Sequence, residues 1–382
     1  MKALGMATVG VVCLLLLAGP AHAELVWHIQ TVDSPGCFVG YYTSLALDLN
    51  GCPHISYYDD YNGALKYASW TDSSWSISTI DNGGGAGTWT SLALDASDYP
   101  HISYLDATTT GSDLKYASWG GSSWTTPTLD SGMFGYSTSL ALDANDCPHV
   151  TYSDWYEYDK CDLKYAYWDG SSWTLSTVVS GNAGNFASLA LDAGDNPHIS
   201  YFDGSDDDLK YASWDGSSWG IQTVDAPGAV GLYTCLALDA DGRPHISYCD
   251  WTNYDLKYAY WDGTSWHTRT VDSGGNVGEW TSLAVGANGY PHISYFDATN
   301  GDLKYASWEG SSWATWTVDA GFAAGAYTSL ALDASGYPHI SYYCNGHLNY
   351  AFATPEPATC VLALLSLGLG GAFVRRRNRW CG

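Results

Sequence analysis

Positive charge is scarce in this sequence. The 382 residues hold 14 lysines and arginines against 40 aspartates and glutamates, a net charge of -26. Five of those 14 basic residues, Lys2, Arg375, Arg376, Arg377 and Arg379, lie in the two terminal segments, so the stretch 24–354 is more acidic still. Nucleic-acid binding draws on clustered Lys and Arg that neutralise phosphates, which excludes that partner class, and anionic membrane surfaces are disfavoured for the same reason. Helical periodicity is missing between the termini, which excludes the helical solenoids. There is no zinc spacing of Cys and His, no P-loop, no zincin motif and no Gly-x-Ser-x-Gly elbow. Only 14% of residues are charged, but 46% are apolar and 15% aromatic, enough to bury a large core and to exclude a disordered chain.

The termini carry addresses. Lys2, the apolar run Val9 to Leu17 and the triplet Ala21-His22-Ala23 have the layout of a cleaved secretory signal over residues 1–23. An uncleaved anchor is the alternative. At the other end Pro355-Glu356-Pro357 precedes a mostly apolar segment, 358–374, that is near the lower length limit for a membrane-spanning helix and ends on Arg375-Arg376-Arg377. That order of elements over 355–382 resembles the PEP-CTERM sorting tail. The resemblance implies recognition and cutting by an exosortase-type membrane protease, delivery to the cell surface or extracellular matrix, and membrane contact only through the removable tail. A plain C-terminal anchor is the competing account.

Between the termini the chain repeats. Pro-His-Ile-Ser or a close variant places His54, His101, His149, His198, His245, His292 and His339 at intervals of 47 to 49 residues. Each period reads Ser-Leu-Ala-Leu-Asp, Pro-His-Ile-Ser-Tyr, Leu-Lys-Tyr-Ala-Ser-Trp, then Ser-Ser-Trp before Thr-Val-Asp, separated by turn residues. Four short alternating segments per period predict an all-β fold, a seven-bladed β-propeller of four-stranded antiparallel blades over 24–354. The chain enters on a fourth-strand sequence, 25–33, and the last unit stops after its third, 348–353. The N-terminal strand is therefore expected to close the last blade.

Pairing Asp239 with His245, and Asp48 with His54, puts the large apolar residues of the first hairpin on one face. It also sets Cys235 opposite Cys249, predicting a disulfide there. A second, Cys37 with Cys344, joins loops of one face. Cys52, Cys147 and Cys161 are placed apart and are not expected to bridge. The seven histidines sit in separate blades, so a shared metal ion is less well supported than pairing of each His with the Asp that ends the neighbouring first strand. Lys66, Lys115, Lys164, Lys210, Lys257 and Lys304 are expected to pair with Asp59, Asp106, Asp154, Asp203, Asp250 and Asp297.

No isolated catalytic set stands out, and the expectation is a non-enzymatic protein. Ser213 to Trp219 resembles the Asp-box of sialidase propellers but is one residue short. A sialidase needs an arginine cluster, whereas 24–354 contains only Arg243 and Arg269. The run Trp-Asp-Gly-Ser-Ser-Trp resembles the repeats of sugar-binding bacterial propeller lectins, which implies a sugar ligand, although the rest of the unit departs from them. Aromatics recur two residues before each first-strand Ser or Cys: Tyr42, Trp89, Phe186, Tyr233, Trp280 and Tyr327, with Ser137 preceded by Tyr136. They should surround the channel mouth. Trp155, Tyr156 and Tyr158 in unit three, and Trp251 and Tyr254 in unit five, join the same loop face. Aromatic planes among Asp and Asn suit sugar rings; interblade packing is the competing role for the mouth residues. The expected ligand is an extracellular polysaccharide, against a structural or protein-binding matrix component. No cofactor is expected beyond calcium at Asp203, Asp206, Asp207 and Asp208, for which a solvated acidic turn is the alternative.

Overall fold

The computed structural model describes residues 25–34, 38–71, 73–108, 111–133, 135–157 and 160–356. The predicted signal segment 1–23, Cys37, Tyr158, Pro357, the apolar segment 358–374 and the arginine cluster lie outside the described residues. Residues 27–353 form one unit of seven antiparallel sheets; at its margins Leu25, Val26, Thr354 and Pro355 are strand residues. Blade one comprises Val39–Leu47, Pro53–Asp59, Ala64–Thr71 and Ser74–Asp81, and the other blades repeat it. In blade two Pro127, which has no N–H for the ladder, splits the fourth strand into Trp124–Thr125 and Thr128–Met133. The first strands contact one another in sequence around the ring, including the first strand of blade seven against that of blade one. Leu25–Asp33 is the outer strand of the last blade, beside His347–Pro355, as expected.

The first-hairpin register differs from expectation by two residues. His245 pairs with Ala237, Leu236 with Ile246 and Cys235 with Ser247, while Cys249 faces Leu232 beyond a bulge. In blade one His54 likewise pairs with Ala46. A slip of two keeps every side chain on its face, so the pattern of large and small residues could not distinguish the two registers. The predicted bridge does distinguish them: Cys235 and Cys249 are separate thiols. Cys344 is also a free thiol, its Sγ 3.8 Å from the Phe322 carbonyl, and Cys37, its expected partner, lies outside the described residues.

The repeated letters turn out to be the seams between blades. On the first strand, Leu92 N–H donates to Ser44 Oγ of the preceding blade at 3.0 Å, and the same bond recurs around the ring. Cys235 holds this serine position, accepting from Leu283 N–H at 3.3 Å. Deeper in six of the seven seams the fully buried Tyr of Pro-His-Ile-Ser-Tyr or its variant donates to the Asp closing the previous blade's fourth strand, as in Tyr104 to Asp81 at 2.7 Å, Tyr248 to Asp225 at 2.6 Å and Tyr342 to Asp319 at 2.7 Å. The repeat lysines join these carboxylates. Lys66, Lys115, Lys257 and Lys304 bind Asp33, Asp81, Asp225 and Asp272 of the preceding blade more closely than their own blade's aspartate. The expected pairs with Asp59, Asp106 and Asp250 survive as secondary contacts, and Lys164 keeps Asp154 as its nearer partner.

The seam between blades three and four lacks two of these bonds. Val179 stands where the other blades have Asp, leaving the buried Tyr201 hydroxyl without a partner, and Lys210 turns to Asp206 and Asp208 rather than to the expected Asp203. Ala187 stands where other blades have the Thr that bonds across the seam, as Thr234 does to Ser200 at 2.8 Å, and Thr151 Oγ1 is left alone.

Each histidine is structural. Its Nδ1 accepts from the Tyr of Leu-Lys-Tyr, as in His245 with Tyr258, which leaves Nε2–H facing the turn aspartate at 3.4 to 3.8 Å in six blades. The aspartate's other oxygen caps its own turn, Asp239 Oδ1 accepting from Asp241 and Arg243 N–H. Gly286 removes the aspartate from blade six, and there burial lowers His292 to about 4.

Two outcomes follow from these seams. Tyr248→Phe deletes a buried bond to a carboxylate and is expected to cost about 1.5–3 kcal/mol, whereas Tyr201→Phe removes an unbonded hydroxyl and should change stability by less than about 0.5 kcal/mol; urea unfolding of both variants measures the difference. All seven histidines are lowered, chiefly by burial. The unfolded chain, with histidine near the usual ~6.5, therefore binds more protons as pH falls below that value, and stability drops from there toward the folded-state values. Urea midpoints at pH 7.5 and 5 should show this loss, and His292→Gln, which cannot protonate, should show a shallower one.

Candidate functional site: the loop face and channel mouth

The mouth is built by a bulge. Near its start the first strand slips register in six of the seven blades, as between Val230, Leu232 and Cys235, whereas that of blade three, Thr138–Leu142, pairs without a slip. Gly231 (φ 104°) allows the strand to pass over blade four, since a Cβ there would lie 2.8 Å from Leu209 Cα. Two residues later the aromatic itself sits in the left-handed region: Tyr42 φ 52°, Trp89 53°, Phe186 55°, Tyr233 54°, Trp280 53°, Tyr327 57°. That conformation is costly for a bulky side chain, on the order of 1–3 kcal/mol, and here it recurs six times in one ring.

The structure brings the six predicted mouth aromatics together around a cavity of about 160 Å³ at the inner ends of the blades, floored by Thr43, Thr90, Thr234 and their equivalents. The rings are half-buried and pack on one another: Tyr42 to Trp89 4.6 Å between centroids, Phe186 to Tyr233 4.6 Å, Tyr233 to Trp280 4.6 Å, Trp280 to Tyr327 4.1 Å. Contacts reach past immediate neighbours, Trp89 to Trp280 at 5.7 Å. Blade three interrupts the ring. Ser137 takes the aromatic position, Trp89 and Phe186 meet across it at 6.1 Å, and Ser137 Oγ, on a residue only 5% exposed, has no hydrogen-bond partner. Burial raises Tyr42, Tyr233 and Tyr327 above the usual phenol range, so they remain protonated donors.

The loop aromatics divide. Trp251 is 39% exposed and touches Tyr254, itself 45% exposed, at 5.8 Å. Tyr156 is exposed as well. Trp155 is not a free loop ring: it lies within the strand Pro148–Glu157, opposite Cys161, with Nε1–H on Asn185 Oδ1 at 3.1 Å and its ring edge-on to Tyr136. Three of the four calcium candidates, Asp203, Asp206 and Asp208, make other contacts. Asp206 and Asp208 converge on Lys210 Nζ at 3.3 and 2.8 Å, and Asp203 Oδ1 accepts from Ser205 N–H. No group of three or more His, Cys, Asp or Glu able to hold a metal occurs among the described residues.

Sequence reasoning missed two surfaces. Phe322, 82% exposed, and Phe38, 47% exposed, lie in fourth-to-first strand loops, where their departure from the polar loop consensus was the available signal. Clefts of about 380 and 300 Å³ also open at the outer seams between blades three and four and between blades five and six, lined by the Trp and Tyr of the third strands. In the latter the Arg269 guanidinium lies over Trp308 at 4.6 Å and Tyr260 at 5.3 Å. The turn Asp215 to Ser218 is structural: Asp215 Oδ1 accepts from both serine N–H groups and the Ser217 hydroxyl, which lowers its carboxyl to about 2.

Residues 353–377 match the PEP-CTERM protein-sorting motif, which implies processing by exosortase, export and sorting to the cell surface. No curated protein matches the chain. Solved structures similar to it include AofleA from Arthrobotrys oligospora (13% identity, TM-score 0.52, 77% of this chain and 89% of that one covered). Aleuria aurantia lectin in complex with α-methyl-L-fucoside is also similar (16%, 0.51, 75% and 96%). So is an ulvan lyase, a polysaccharide lyase, bound to a GlcA–Rha3S unit (14%, 0.56, 86% and 95%). At these identities the likeness is one of fold, and the Aleuria lectin is six-bladed. The chain is a seven-bladed β-propeller that carries a PEP-CTERM sorting motif at its C-terminus.

Proposed function

We propose that this protein is a non-catalytic polysaccharide-binding propeller, sorted to the cell surface or extracellular matrix, that takes its ligand on the loop face. The observation that carries this reading is the ring of strained aromatics at the mouth, with threonine hydroxyls beneath and the exposed Trp251–Tyr254 pair on the same face. Apolar planes beside hydroxyl and amide groups offer a sugar ring both stacking and hydrogen bonds. The similarity of fold to a fucose-binding lectin and to a polysaccharide lyase supports a carbohydrate ligand. The binding reading is favoured over lysis because each repeated histidine is engaged by a Tyr of its own blade, and six of the seven also face the turn Asp of that blade. A structural matrix protein without a small ligand is the second reading, favoured by the mutual packing of the mouth rings.

A glycan array and polysaccharide pull-downs with the secreted protein separate the two. Trp251→Ala is expected to weaken binding about 2- to 10-fold, the worth of one stacked ring, with an unchanged melting temperature because the side chain contributes little to the core. A blank array and blank pull-downs from folded protein would leave the structural reading.

A further inference from the structure

The loop face is short of positive charge even where lysines stand. Lys66, Lys115, Lys164, Lys210 and Lys257 are each held by two carboxylates, and Lys304 by Asp272. A surplus of carboxylates remains. Asp255 and Asp302, the first residues of the third strands of blades five and six, are raised by burial and then by neighbouring Asp250 and Asp297. Glu279, which precedes Trp280 on the first strand of blade six, is half-buried, accepts from Asn276 Nδ2–H at 3.1 Å and is raised by burial. Its charge acts on Tyr233, and that of exposed Asp60 acts on Tyr42. Among the described residues no Lys, Arg or His lines the mouth cavity.

Aromatic faces carry negative quadrupoles, and a cation over them is attracted by about 0.5–2 kcal/mol, more when water is excluded. The cavity of about 160 Å³ is close to the ~150 Å³ that accommodates one six-membered ring. Ser137 Oγ supplies an unpartnered polar atom in the gap of the ring. We propose that the mouth cavity binds a protonated amino sugar, one residue of a polysaccharide with free amino groups. Its ammonium lies among Trp89, Trp280 and their neighbours near Glu279, and a ring hydroxyl meets Ser137. This rests on the polysaccharide reading and narrows its ligand to a cationic one. A neutral or N-acetylated sugar would gain the stacking but not the charge.

The test titrates the secreted protein by calorimetry with oligomers of glucosamine and of N-acetylglucosamine of equal length. The free-amino oligomer should bind at least tenfold more tightly. Its advantage should shrink at 0.5 M salt and vanish at pH 9.5, where the ammonium is neutral but the raised mouth tyrosines are not yet ionised, and tetramethylammonium should compete. Glu279→Gln and Asp241→Asn each remove one negative charge, the latter at a first-hairpin turn on the opposite face. Only the former should weaken the amino oligomer, by threefold or more. Equal weakening by both, or equal affinity for the two oligomers, overturns the proposal while leaving polysaccharide binding in place. Binding of other polysaccharides but of neither oligomer does the same. If no polysaccharide binds, both readings fall.

Discussion

Everything in this molecule depends on the seam between neighbouring blades. A four-stranded sheet of this length cannot bury its own apolar faces, and stability comes from stacking each sheet on the next around a closed ring. Direction and spacing are fixed by recurring polar bonds: first-strand Leu N–H to serine, or once to Cys235, at each junction, and buried Tyr on the Asp that ends the preceding blade at all but the junction of blades three and four, with a repeat lysine joining that Asp in most of them. Each is buried or half-buried, so each would cost more unmade than it contributes when made. The ring closes only because Asp33, at the start of the chain, supplies the same acceptor to Tyr57 and Lys66 as Asp81 does one blade later.

That rigidity allows the mouth to hold an unfavourable backbone. Six aromatic residues in the left-handed region would relax in an isolated hairpin, but here the strand on either side is pinned, by the glycine that passes over the previous blade and by the serine bond deeper in the seam. The consequence is a collar of rings whose position is set by the scaffold rather than by a mobile loop. Where the repeat departs from itself, at Ser137, Val179 and Ala187, the departures gather around blades three and four and make the mouth asymmetric. The same region holds the unbonded hydroxyls of Ser137, Thr151 and Tyr201, so the seam with the fewest bonds borders the gap in the collar.

Much of this was legible in the sequence. Repeat length, strand count, closure by residues 25–33 and the placement of the mouth aromatics all follow from periodicity and phase, because each repeat unit is one blade. Two things were not legible, for physical reasons. Strand pairing is degenerate to a shift of two, since side chains alternate with period two, and that misplaced Cys249 opposite Cys235. The Tyr and Lys partners of a seam aspartate lie about 23 to 34 positions from it on a different sheet, so sequence proximity points each lysine to the aspartate of its own hairpin although the preceding blade's aspartate is nearer for four of them. Trp155 stands in a segment whose irregular sequence suggests a loop, but the second strand of blade three runs on to Glu157.

The central claim is that the collar is held in place for a ligand and is not a plug that the fold needs. The unfolding free energy of Trp280→Gly tests it most directly. Glycine takes the left-handed conformation without strain, a relief of roughly 1–2 kcal/mol that offsets much of the lost ring contact. The account predicts a net loss of less than about 2 kcal/mol. A loss of about 3–5 kcal/mol, the usual cost of emptying a packed aromatic site, would show that the rings are core and would contradict it.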